Sequence, residues 1–194
     1  MKKMMLAVSM MLMSASMSWA NLTWNFDDGT AQGWVDQSGN AASVNGSNQI
    51  WTQVQDGGSG TAVLQISGLN QTIANTSAYA EMDSVLSNNP VFAYGAYRFE
   101  LTTTAGTYVG SFACNSPNSI SYTDKKFNLF TDLTASSGSP ALAVGDTITG
   151  LTIAAWGYSF SVSADNVDLV VPEPATIGLL MLGGLFGIRR RNRA

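Results

Sequence analysis

Between residues 21 and 171 apolar and polar side chains alternate with a period of two, in short runs separated by Gly, Asn, Asp and Ser clusters. That period fits pleated strands, on which successive side chains point to opposite faces. No stretch holds a convincing 3.6-residue helical period. The pattern predicts strands over 22–26, 33–36, 42–44, 50–54, 62–67, 91–102, 108–114, 127–133, 148–154, 158–161 and 167–171. Breaks fall at Asp28-Gly29, Ser38-Gly39-Asn40, Asn45-Gly46, Asp56-Gly57-Gly58, Ala105-Gly106, Ser136 to Pro140 and Gly145-Asp146. Asn45-Gly46 reads as a two-residue hairpin turn. The stretch 78–86 fits a short helix as well as a strand.

Many short strands at this spacing, in about 150 residues, imply one all-β domain: an antiparallel β-sandwich, most naturally a jelly roll. Phe26, Trp34, Trp51, Tyr97, Phe99, Phe112 and Trp156 are the bulky residues expected in its core. No tandem repeat is visible.

The pattern fails at both ends. Residues 1–20 carry Lys2 and Lys3, then a methionine-rich apolar run, then small residues Ser18 and Ala20. That charge order and those small residues make a secretory signal peptide, cut between Ala20 and Asn21. At the other end stand Pro172-Glu173-Pro174, an apolar run over 175–188, and Arg189-Arg190-Arg191. As a helix the run would be roughly 21 Å long, short for a hydrocarbon core of about 30 Å, so it makes a marginal span. Its arginines belong on the cytoplasmic side, which leaves Pro-Glu-Pro at the outer face of the inner membrane. The expected division is therefore 1–20 signal, 21–171 sandwich and 172–194 tail.

This tail resembles the PEP-CTERM sorting tail of Gram-negative bacteria. The resemblance implies a cell-surface or extracellular-matrix protein, held in the membrane until an exosortase-type membrane protease processes it. An ordinary anchor that is never cut is the plain alternative.

Removing the two ends changes the charge balance. The chain's net charge is −4, but only Arg98, Lys125 and Lys126 remain against twelve carboxylates over 21–171, a balance of −9. Such a surface repels nucleic acid and anionic lipid, and suits divalent cations or neutral and cation-bridged polysaccharides. The chain has no histidine and one cysteine, Cys114. Ser-His-Asp and Cys-His triads, histidine metal sites and an internal disulfide are therefore excluded. Cys114 reads as a small apolar residue on a strand.

Two segments bear a second resemblance. Trp24-Asn25-Phe26-Asp27-Asp28-Gly29 with Gly33-Trp34, and 160–167 with its Asp165-Asn166-Val167 triplet, are similar to the opening and closing strands of jelly-roll carbohydrate-binding modules. The resemblance implies that these strands lie side by side and hold a structural calcium through Asp27 or Asp28 with Asp165, and less directly Asp168. Hard cations do take oxygen ligands. The same aspartates also suit side-chain-to-backbone turns.

Trp24 and Trp51 are the candidate sugar-stacking residues, although tryptophans in a sandwich are as readily core. Glu81-Met82-Asp83 resembles the carboxylate strand of some jelly-roll glycosidases, in which alternate residues share a face. The third carboxylate of that pattern is replaced by Leu86, and Glu100 is the only evident substitute. The chain thus reads as an exported, non-catalytic sandwich associating with exopolysaccharide. A structural or adhesive matrix protein without specific sugar binding, and a glycosidase-like enzyme, are the alternatives.

Overall fold

The computed structural model describes residues 20–53, 59–88, 95–114, 120–158 and 160–172. Twelve strands form from them. They are β1 (Ala20–Trp24), β2 (Val35–Asp36), β3 (Ser43–Val44), β4 (Ile50–Gln53), β5 (Ser59–Thr72) and β6 (Tyr79–Asn88). After these come β7 (Gly95–Thr103), β8 (Thr107–Cys114), β9 (Ile120–Asn128), β10 (Thr134–Ala135), β11 (Thr147–Tyr158) and β12 (Phe160–Val171).

In β7 the cause of the fold is plain. Tyr97, Phe99 and Leu101 are buried, while Arg98, Glu100 and Thr102 face outward on the opposite side of the pleat. β5 repeats the pattern with Ala62, Leu64 and Ile66 inward, and β11 with Leu151, Ile153 and Ala155. One-sided strands of this kind hide their apolar faces only by stacking two sheets. The first sheet runs β3-β4-β12-β6-β9, with β1 also paired to β12. The second runs β10-β8-β7-β11-β5-β2. Every pairing is antiparallel.

Aromatic pairs fill the space between the sheets. Phe99 and Phe127 stack with centroids 5.0 Å apart, joining β7 of the second sheet to β9 of the first. Trp34 meets Trp24 edge-on at 5.7 Å. Each fully buried large side chain removes enough apolar surface to contribute about 1.5–3 kcal/mol.

Four local expectations give way. Of the stretch 78–86, all but Ala78 belongs to strand β6, because Ala80, Met82 and Ser84 are buried while Glu81 and Asp83 are turned outward. β9 begins at Ile120, ahead of the expected 127–133, and its polar Thr123-Asp124-Lys125-Lys126 stretch hid it. The rest of 127–133 is a turn, closed when the Asn128 side chain accepts from the Phe130 and Thr131 amides and Asp132 accepts from the Asn128 amide. At Asn45-Gly46 there is no two-residue turn. Val44 pairs with Ile50, Asn45 accepts from the Ser47 and Gln49 amides, and Asn48 takes the left-handed conformation at φ 57°. Finally, the expected strand 158–161 is divided, with Tyr158 ending β11, while Phe160 and Ser161 join 167–171 in one strand, β12, continuous through a bulge. The signal and tail helices, the residues 91–94 expected in a strand, and the Asp56-Gly57-Gly58 break lie outside the described residues.

Candidate functional site

The solvent face of the first sheet gathers most of the candidate residues. Trp51 alternates with buried Ile50 and Thr52, so it stands half-exposed on this face, with Ser163 of β12 and Ser43 of β3 as its cross-strand partners. One step along β12 comes Asp165, opposite Asp83; one step further Asp168 lies between Glu81 and Thr23. Glu81 is ion-paired to Lys126 at 2.8 Å, and the same ammonium sits 3.9 Å from the centre of the Tyr79 ring. The hydrogen bond from Lys126 to Glu81 is the main reason its ammonium is held above its usual range.

Two bulges meet at Asp83. On β12 the register slips between Asp165 and Asp168, with Asn166 left-handed at φ 47°. On β9 the chain slips opposite Asp83, with Asp124 left-handed at φ 49°. The Asp83 carboxylate spans both, accepting from the Asp124 amide at 2.8 Å and the Asn166 side-chain amide at 2.9 Å. Asn and Asp are the non-glycine residues that best tolerate such backbone. Asp165 accepts from the Asn166 amide at 2.8 Å, yet its carboxyl is held above the usual range. Partial burial is the main cause, and the charges of Asp27 and Asp83 add to it.

Asp28 has a different role. Its exposed carboxylate accepts from the Thr30 amide, the Thr30 hydroxyl and Gln32, and the Thr30 amide above all holds its carboxyl below the usual range. Asp27 accepts from the Asn25 side chain at 3.0 Å. β1 and β12 do lie side by side, from Ala20 opposite Val171 to Trp24 opposite Val167. However, among the described residues no three His, Cys, Asp or Glu side chains gather closely enough to hold a metal ion. Asp27 lies near enough for its charge to act on Asp165, whereas Asp28 is engaged by Thr30 and Gln32 and Asp168 stands between Glu81 and Thr23.

Two further candidates are corrected. Trp24 is only 7% exposed, packed against Trp34 under β1, so its ring has no free face for a sugar. Trp51 is the one candidate tryptophan turned outward. Glu100 cannot complete a glycosidase carboxylate set with Glu81 and Asp83. It lies on the outer face of the second sheet, ion-paired to Arg98, with the whole core between it and the other two.

The tail joins the sandwich without a linker. Val171 ends β12 as a core residue, 2% exposed, and Pro172 follows it directly. The Asn75 side chain, in the loop between β5 and β6, donates to the Pro172 carbonyl at 2.7 Å. Asn75 drew no attention in the sequence, because nothing local marks a contact 97 positions away. Glu173, Pro174 and Arg189 to Arg191 lie outside the described residues.

Residues 170–193 match the PEP-CTERM protein-sorting motif. The search of curated proteins returned no match. Among solved structures, a carbohydrate-binding module described as specific for non-crystalline cellulose is similar at TM-score 0.51 and 14% identity, over 79% of this chain and 93% of that one. A family 11 carbohydrate-binding module from Clostridium thermocellum shows 13% identity over 79% of this chain and 96% of the module, at a TM-score of 0.38 that carries no argument. At these identities the likeness concerns the fold alone. The motif marks an exported protein processed at a membrane. The chain thus carries a PEP-CTERM protein-sorting motif directly behind an antiparallel β-sandwich with the fold seen in a carbohydrate-binding module.

Proposed function

We propose that this is an exported surface or matrix protein of a Gram-negative bacterium. An exosortase-type membrane protease processes its tail, and its sandwich associates with polysaccharide without cleaving it. The observation that carries the sorting half is the match over 170–193, which begins on the last two residues of β12. The polysaccharide half is supported by Trp51, an indole on the solvent face of the first sheet bordered by Ser43 and Ser163. A flat ring beside small hydroxylated residues suits an uncharged pyranose, and the surrounding Asp83, Asp165 and Asp168 disfavour anionic sugars.

The non-catalytic reading is supported by how the candidate carboxylates are used. Glu81 is ion-paired, Asp83 spans two bulges, and Glu100 is on the far side of the sandwich. A glycan array probed with the purified protein tests the binding: retention on neutral glycans that Trp51→Ala abolishes supports it. Absence of retention on every glycan favours a structural or adhesive matrix role instead. For a structural calcium, the support is confined to Asp27 and Asp165. A melting temperature that falls with chelator would favour an ion there, and an unchanged one would leave both as turn and bulge residues.

A further inference from the structure

We propose that Asn75 is a positioning residue for processing of the tail, and that cleavage falls on the carboxyl side of Pro172. This rests on the sorting reading above.

A protease holds its substrate as an extended chain, chiefly through main-chain hydrogen bonds. Upstream of the tail, that main chain is already committed. Val170 lies between Asn21 of β1 and Tyr79 of β6, and Val171 lies opposite Ala20. Both side chains are buried, at 8% and 2% exposure. An enzyme cleft cannot take hold of them while the sandwich is folded.

Pro172 is withheld as well. Proline has no amide hydrogen, its φ is fixed near −65°, and its carbonyl is engaged by Asn75. The orientation of the Asn75 amide is itself determined by its surroundings. Its oxygen accepts from the Ser77 amide at 2.8 Å and from the Ser77 hydroxyl, which leaves the nitrogen to donate to Pro172. The segment from 73 to 78 that carries Asn75 is also tied at both ends. The Ile73 amide donates to Asp146, and the Ala78 carbonyl accepts from the Leu129 amide. The main chain is thus committed to the sandwich through Pro172, so the point from which the tail departs is held in place. Such pre-organisation lowers the entropy an enzyme must remove on binding.

The test uses the full-length chain expressed in a host with an active exosortase, comparing the parent with Asn75→Asp. Aspartate keeps the acceptor for Ser77 and removes the donor to Pro172, and the negative charge it adds there is controlled for by Asn75→Ala. Pulse-chase and intact-mass measurement follow loss of the tail and the position of the new end, and signal-peptide removal in the same molecules serves as an internal control. The parent should end at or beyond Pro172. The variant should be processed about three- to tenfold more slowly, the factor one net hydrogen bond confers, with scattered ends and unchanged signal removal. Asn75→Ala should behave alike. Processing of both variants at the parental rate and position overturns the proposal, as does a parental end upstream of Pro172. A parent that keeps residues 175–194 overturns it together with the sorting reading, a case the parental sample itself identifies.

Discussion

The Asp83 carboxylate accepts the backbone amide of Asp124 at 2.8 Å, on a neighbouring strand where the chain bulges. Its other oxygen takes the side-chain amide of Asn166 in the bulge on the opposite side. One carboxylate on β6 thus fixes the register of β9 and β12 together, at the row where Asp165 also sits. Register matters because a slip of one residue turns a strand's core side chains to solvent.

Asp83→Ala removes both bonds and leaves the two left-handed residues without their shared partner. We expect a loss of about 1–3 kcal/mol in urea unfolding, since hydrogen bonds to a charged group are worth more than neutral ones. Asp83→Asn retains one acceptor and should lose less. Alanine tolerated without cost would mean that the bulges are held by the strands alone.

Asp165 should give the protein an inverse pH dependence. Its folded carboxyl is held above its ordinary range, mainly by partial burial, so the folded chain binds its proton more readily than the unfolded chain does. At neutral pH both states are ionised and the full penalty is present. As pH falls through the raised value the folded state protonates first, and stability rises until the unfolded value is passed. Asp165→Asn keeps an acceptor for the Asn166 amide but removes the charge facing Asp27 and Asp83. The variant should therefore melt higher than the parent at pH 7, with the gap narrowing as the pH falls through the raised value. Asp28 acts in the opposite sense, because its lowered carboxyl contributes stability above the unfolded value that is lost as pH falls through the folded one. A parent that melts above Asp165→Asn at pH 7 would contradict this reading of the cluster.

The two tryptophans first grouped as candidates should separate by experiment. Trp24→Ala opens a cavity beside Trp34 and should cost about 3–5 kcal/mol. Trp51→Ala truncates a half-exposed ring and should cost about 1 kcal/mol, while removing retention on glycans. A reversal of the two stabilities would place the wrong ring in the core.

Strands with strong contrast, such as β7 with Tyr97, Phe99 and Leu101 against Arg98, Glu100 and Thr102, were legible in the sequence. β6 was not, because the residues it buries include Ala80 and Ser84, whose small side chains blur the alternation. β9 was missed because a bulge at Asp124 breaks its period and its outward residues are charged. The joining of Phe160 and Ser161 to 167–171 in β12 has a similar cause: Asp165-Asn166 reads as a turn, and the chain does turn left-handed there, but β6 keeps the strand paired on both sides of it. The sorting motif was legible in full, being a linear signal. The surroundings of Asp165 and the Asn75 contact were not, since both depend on residues far apart in the chain.

The most direct measurement is the intact mass of the protein recovered from outside the cell. A species that begins at Asn21 and ends upstream of the apolar run at 175–188 would show that both terminal signals had been removed from a folded sandwich. Recovery of an extracellular chain still running from Met1 to Ala194 would contradict the sorting on which the proposed function rests.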